Sequence, residues 1–410
     1  MSPQHGAGSS VAGSSAHGGS LLLGLAATCL LALSLRIPTT SLGPVLPRIG
    51  EVTGHGETFL SLLTAIPLAL TLVAAPVSPR VARRLGRDRA VGLALAAVAV
   101  GVLVRSLPGD VPLVAGTVLL GLGIAVATVL GPATISSARR ADRPVLTATY
   151  SMSLSVGPAL ALALTVPLMH VAGLDWAGTL ALWSLCVIAA WALWIARTRD
   201  LHAARVPEPI NGAHDTDASG PTPAVISDPG VWQLALYMGL TSLTFYTTST
   251  WLPTVLVLGG TGTAPAGAAA SLVSIAAIPF SFAAPILLRR AGSRLLVLLA
   301  PLVALAGIVL LVVTGSSAPI AIAVLLGISQ GLCLGISYDR VVQYARSPDH
   351  AAAVSALTFT VGIALAALGP LLFGAALEAT RSTLVPLCGL GATVLLQGII
   401  GLCSRALRPS

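Results

Sequence analysis

The chemistry this sequence can perform narrows to one charge. Its 14 carboxylates are Glu51, Glu57, Asp88, Asp110, Asp142, Asp175, Asp200, Glu208, Asp215, Asp217, Asp228, Asp339, Asp349 and Glu378. Every one falls in a polar stretch or near the end of an apolar run. All 22 basic residues are arginines, since the chain contains no lysine. Of these, only Arg36 is read as lying deep within an apolar run, 16 residues beyond Ser20, or ~24 Å along a helix axis. An arginine inside a membrane costs at least ~2.5–3.5 kcal/mol. Without a buried carboxylate to pair with, it needs carbonyls, water or an anion. Pro38 follows two residues later; lacking an N–H, it frees the carbonyl of Ser34 and favours a kink beside Arg36. Thr39, Thr40 and Ser41 add hydroxyls. This grouping points to binding of an anionic or electron-rich solute group at Arg36. The alternative is that Arg36 snorkels towards an interface or ties its helix to carbonyls of another.

Further candidates for a central cavity are the polar and aromatic residues embedded in apolar runs: Thr128, Tyr150, Ser153, Tyr237, Thr241, Phe245, Tyr246 and Gln330. A buried amide such as Gln330 needs partners, whether protein, water or ligand. Taken singly, each serves helix packing as readily as ligand contact; Tyr246 and Gln330 are the stronger choices. The segment SPRVARRLGRDR at 78–89, with Arg83, Arg84, Gly86 and Arg87, reads as an orientation and gating loop, or as simple surface charge. No nucleophile is paired with a base, so an enzyme is not expected. Cys29, Cys186, Cys333, Cys388 and Cys403 have spacings that match no disulfide framework or metal site. No GxxxxGK[ST] run occurs, which excludes ATP hydrolysis by this chain, and no cofactor or metal is expected. Proton coupling normally uses a carboxylate or histidine inside the membrane; His170, near the end of helix 5, is read as an interface residue. That leaves facilitation, a solute carrying its own proton, or another route.

The elements that position these residues are membrane spans. The chain has 410 residues, 55% hydrophobic and 9% charged, with mean hydropathy +0.92. A soluble domain carries roughly 25% charged residues, so this chain cannot coat a water-facing surface. A span needs about 20 apolar residues, and twelve segments meet or approach that: about 20–49, 57–79, 90–107, 111–136, 145–172, 174–196, 230–256, 265–288, 295–315, 318–342, 350–378 and 382–404. The net charge of +8 does not indicate nucleic acid, because the arginines sit in short loops. With the N-terminus inside, 18 arginines fall in inner loops and three, Arg48, Arg105 and Arg381, in outer ones, which places both termini in the cytoplasm. Residues 1–19 read as a disordered tail, 197–229 as a flexible cytoplasmic linker, and 405–410 as a second tail. The six-helix bundles are then 20–196 and 230–404.

An internal repeat supports two related halves. Arg83-Arg84-Leu85-Gly86 and Arg289-Arg290-Ala291-Gly292 stand 206 residues apart, as do Val118-Leu119-Leu120-Gly121 and Val324-Leu325-Leu326-Gly327, and Arg140 and Arg346. Such a six-plus-six parallel repeat is an organisation found among membrane carriers. Four stretches carry a more specific likeness: LRIPTTSLGPVLPRI at 35–49, GIAVATVLGPATI at 123–135, WQLALYMGLTSLTFYTTSTWLP at 232–253 and GIALAALGPLLFG at 362–374. With these the chain resembles the cyanate permease and nitroimidazole transporter family (CynX/NimT) of the major facilitator superfamily. The resemblance implies twelve helices, alternating access, and a small anion or polar nitrogen compound as solute. It also implies that Arg36 and the helix-7 aromatics face the solute. The chain departs from the family pattern with Thr128 where Asn is expected, Ser136-Ser137 where a basic pair is expected, and Arg83 and Pro79 where Asp and Gly are expected.

The expectation is an all-α membrane protein with a major facilitator fold in two six-helix pseudo-repeats. It acts as a secondary transporter of the cell membrane, moving a small solute such as cyanate or a nitroimidazole. Its expected partners are that solute and the lipid bilayer, with no nucleic acid, and it is expected to be a monomer. The rival readings are multidrug or antibiotic export, with a wider apolar cavity, and a non-transporting membrane sensor.

Overall fold

The computed structural model describes residues 9–74, 77–136, 141–204, 223–291 and 293–404. Among these residues, twelve helical elements are long. They are α1 (Ser9–Thr40), α2 (Glu57–Ala74), α3 (Arg87–Arg105), α4 (Asp110–Ser136), α5 (Arg143–Val171), α6 (Trp176–Leu182 and Ser184–Ala204), α7 (Pro229–Leu258), α8 (Thr263–Ala291), α9 (Ser293–Thr314), α10 (Pro319–Tyr344), α11 (Pro348–Thr380) and α12 (Leu384–Cys403). Short helices at Leu46–Thr53, Ser78–Leu85 and Pro223–Ile226 and a 3-10 turn at Gly43–Val45 complete the chain. Helix is the expected outcome, because a span in lipid must satisfy every backbone group internally.

Ten elements are long and apolar enough to cross a membrane. The two outside that set are α3, which carries Arg87, Asp88, Arg89 and Arg105, and α7, whose apolar character is diluted by the Thr, Ser and Tyr hydroxyls between Tyr237 and Thr254. Both pack as full members of the assembly, α3 on α4 and α6, α7 on α11 and α12, which is consistent with the twelve-helix reading. Helices α1–α6 pack mainly on one another, and so do α7–α12. The halves meet where α2 crosses α11, where α5 crosses α8, and where the Gly43–Val45 turn abuts α7.

Small residues set how close the helices come. On α10, Gly327, Gly331 and Gly335 repeat every fourth residue and lie against the backbone of α8; a Cβ at Gly327 would sit 2.5 Å from the Val273 carbonyl oxygen. This is the small-residue stripe by which membrane helices approach closely without a hydrophobic driving force.

Three expectations change. The first helix begins at Ser9, inside the 1–19 segment expected as disordered. No proline interrupts residues 9–37, so a helix nucleated in the apolar run propagates backward at one hydrogen bond per residue. At the linker, α6 continues to Ala204 and Val225 of the Pro223–Ile226 helix is buried in the second half's core. The aperiodic segment is therefore shorter than 197–229 at both ends; residues 205–222, like 405–410, lie outside the described residues. Third, Arg105 is not an outer-loop residue but is buried, 1% exposed.

Candidate functional site

Arg36 belongs to the first half, four residues before the end of α1, and the Leu21–Thr53 span places it near its middle. Its Nη1 donates a hydrogen bond to the hydroxyl of Tyr246 on α7, in the second half. The guanidinium carbon lies 5.9 Å from the centre of the Tyr246 ring, within the ~6 Å range of a cation–π contact. Two more tyrosines interact electrostatically with the same guanidinium: Tyr150 on α5 and Tyr338 on α10. Of the three, Tyr246 alone is in direct contact with the guanidinium among the described residues. Among the described residues no carboxylate pairs with it.

Tight packing holds the arginine in place. Gly157 on α5 leaves room for the Arg36 stem, since a Cβ there would lie 2.9 Å from the Arg36 Cβ. Gly131 on α4 does the same for the Tyr150 hydroxyl, 3.1 Å from where its Cβ would be. Tyr246 meets Phe245 edge-on, with ring centres 5.3 Å apart at 82°. It also packs on Leu68, Ala366 and Ala367, which join α2 to α11.

The remaining residues expected from sequence divide. Thr39 spends its hydroxyl on the Arg36 carbonyl, 2.9 Å away, and so stiffens the helix at that turn. Thr40 and Thr128 are half-buried, and neither is hydrogen-bonded to Arg36 or its tyrosines among the described residues. Tyr237 is turned away from the centre, fully buried, with its hydroxyl directed at the Val297 carbonyl, 3.4 Å, and the Cys333 sulfur, 3.7 Å. Gln330 donates to the Thr241 carbonyl at 3.3 Å, and Gln397 donates to the Thr241 hydroxyl at 2.7 Å. This set braces α7 against α10 and α12 inside the second half. Ser153 donates to Cys29 at 3.2 Å within the first half. In the loop after α2, Arg83 and Arg84 are exposed, Gly86 takes φ +83°, and Arg87 donates to the Ala133 carbonyl of α4 at 2.9 Å, a contact within one half. Tyr338 was not singled out from sequence.

At the end where α1 turns into α2, the halves are in backbone contact. A Cβ on Gly43 would sit 2.6 Å from the Ser249 carbonyl oxygen of α7, and one on Gly374 of α11 would sit 2.7 Å from the Glu57 carbonyl oxygen. The Glu378 carboxylate accepts from the Thr58 amide across the seam at 2.8 Å, satisfying one free N–H at the start of α2. On α8, a Cβ at Gly267 would lie 3.0 Å from the Leu162 carbonyl oxygen of α5. Towards the opposite end Tyr338 is 56% exposed while still interacting with Arg36.

A family model described as Major Facilitator Superfamily matches residues 25–370. The 2-nitroimidazole transporter of Escherichia coli (strain K12) is 30% identical over 381 residues, covering 93% of this chain and 94% of its own. The cyanate transport protein CynX of the same organism is 27% identical over 348 residues, 83% of this chain and 86% of its own. Among solved structures, a bacterial homologue of the human lysosomal transporter Spinster, in an inward-facing and unoccupied conformation, aligns with a TM-score of 0.70 at 18% identity, covering 95% of this chain and 96% of its own.

Proposed function

Because the chain belongs to the major facilitator superfamily, and so is a membrane transporter, we propose that it carries a small anionic or polar nitrogen-containing solute, such as cyanate or a nitroimidazole, bound at Arg36. The observation that supports this most is the guanidinium between the halves, held by a phenol and not by a carboxylate. A phenol satisfies one donor without cancelling the charge, so an anion arriving in the gap still gains the full attraction of the cation. Charge-assisted hydrogen bonds are about twice as strong as neutral ones, which favours exchange of water for such a solute. The names of two relatives, for cyanate and 2-nitroimidazole, fit that chemistry.

In this reading the protein sits in a bacterial cytoplasmic membrane with both termini inside, as a monomer. The end that carries the exposed Tyr338 is read as open to the cytoplasm. Transport requires the Gly43 and Gly374 seams and the Glu378–Thr58 contact to part while the opposite end closes over the solute. Arg36 belongs to one half and Tyr246 and Tyr338 to the other, so the solute bridges the surfaces that move.

The test is uptake of labelled cyanate and 2-nitroimidazole into proteoliposomes by Arg36→Ala and Arg36→Lys. Both variants are expected to reach the membrane and to transport less than a tenth as fast as the parent. Lysine keeps the charge but not the planar fork that serves a flat anion and stacks on Tyr246. Near-parental uptake by both would remove Arg36 from the site.

A further inference from the structure

Arg105, the last residue of α3, was expected at the membrane surface, and the fold puts it inside the first half. Its Nη1 donates to the Pro38 carbonyl of α1 at 2.9 Å. Among the described residues its Nε and Nη2 are buried without a partner, and no carboxylate pairs with it. A desolvated cation held by a single hydrogen bond is costly to keep, so the location of that one bond matters. Pro38 lies in the last turn of α1, where the final four carbonyls have no partner within the helix. Ser41 N–H takes the Ile37 carbonyl, and Arg105 takes the next. A cation at this end also complements the negative pole of the helix dipole.

The same turn carries the transport machinery. Arg36 stands two residues before Pro38, and Gly43, the residue docked on α7, stands five after it. We infer that Arg105 is a positioning residue for the solute site. By holding the Pro38 carbonyl it fixes the last turn of α1, and so fixes the direction in which Arg36 leaves the helix. This rests on the reading of Arg36 as the solute-binding cation. Because only one of its donors is used, a lysine satisfies the same carbonyl with the same charge.

The experiment uses the full chain and two readouts: backbone hydrogen exchange over residues 37–46, and the KM and maximal rate for labelled cyanate and 2-nitroimidazole in proteoliposomes. In Arg105→Met, exchange at 37–46 is expected to rise about ten- to hundredfold, the worth of one charge-assisted hydrogen bond, with α3 and α4 unchanged. KM rises at least tenfold and the maximal rate stays within threefold. Arg105→Lys restores both, and Arg36→Ala abolishes uptake without altering exchange at 37–46. A uniform rise in exchange across the first half, or an unchanged KM in Arg105→Met while Arg36→Ala is inactive, overturns the role of Arg105 alone. Normal uptake by Arg36→Ala overturns the solute site and the positioning role with it.

Discussion

Adding one methyl group at Gly43 should bias the whole carrier towards the opposite conformation. Gly43 has no positive φ and sits in a 3-10 turn, so alanine introduces no backbone strain. All it adds is a Cβ, 2.6 Å from the Ser249 oxygen and 3.3 Å from the Thr250 oxygen, where carbon contacts settle near 3.5–4.0 Å. Both obstacles are backbone of α7, which cannot step aside as a side chain would. Overpacking of this kind costs about 1–3 kcal/mol, and here it falls only on the state in which α1 and α7 touch. The equilibrium should therefore shift by roughly 5–150-fold towards the state that is open at the α1–α2 end. Ser61, fully buried in the seam against Gly374, gives the readout. In a background lacking the five native cysteines, Ser61→Cys is labelled in cells with a membrane-impermeant maleimide, with and without Gly43→Ala. The labelling rate should rise at least fivefold. A ratio within twofold of unity would mean that the turn slides past α7 and that the seam is not what holds this end shut.

Tyr246→Phe removes the acceptor that satisfies Arg36 when no solute is bound, leaving a donor short by about 1–3 kcal/mol. Net uptake, which needs the empty carrier to return, should fall about tenfold or more while solute exchange continues; equal loss of both refutes this role. Tyr246→Glu should occupy Arg36 from within: at 4 Å and an effective dielectric of 20 the pair is worth about 4 kcal/mol, so affinity for an anionic solute, measured by equilibrium binding, should drop about a thousandfold. Gln397→Leu removes the 2.7 Å bond to Thr241 and should lower stability by about 1–3 kcal/mol in detergent unfolding, with uptake per folded molecule within twofold of the parent.

The spans were readable because apolar length follows from cost in lipid, and Arg36 stood out as an unpaired charge within one of them. Which face a polar residue takes is harder to read. Tyr237 and Tyr246 were grouped as aromatics of one helix, yet nine residues is two and a half turns, so when Tyr246 points at Arg36 Tyr237 points away. The bracing of α7 by Gln330 and Gln397 has no sequence mark that separates it from ligand contact, since a buried amide needs partners in either role. Tyr338 stands beside Asp339 and Arg340 near the end of α10, where a tyrosine carries no sequence mark of a place near Arg36. Arg105 was counted on the outer side because it stands at the end of an apolar run, and a long side chain at a helix end can turn inward as well as out. One signal was available and unused: Thr-Thr-Ser occurs at 39–41 and again at 247–249, and the turn after the first is what docks on the second.

The contacts that close the α1–α2 end must be individually weak, and their chemistry is suited to that. Moving a two-state carrier from 1:99 to 99:1 takes about 5.5 kcal/mol of differential binding. One charge-assisted hydrogen bond supplies about 1.5–3 kcal/mol, and a small solute at Arg36 makes few of them. A seam of large interlocked side chains would exceed what such a solute can overcome. At this end the seam includes glycines laid against carbonyls at Gly43, Gly374 and Gly267 and one exposed carboxylate on an amide at Glu378, beside apolar contacts of Leu68 and Leu162 with the second half. In the proposed mechanism the strong interaction lies at the centre, where Arg36 on one half and Tyr246 and Tyr338 on the other change their separation as the halves rock. A ligand shifts an equilibrium only by as much as its affinity differs between the states, and at the proposed site that difference arises between Arg36, Tyr246 and Tyr338.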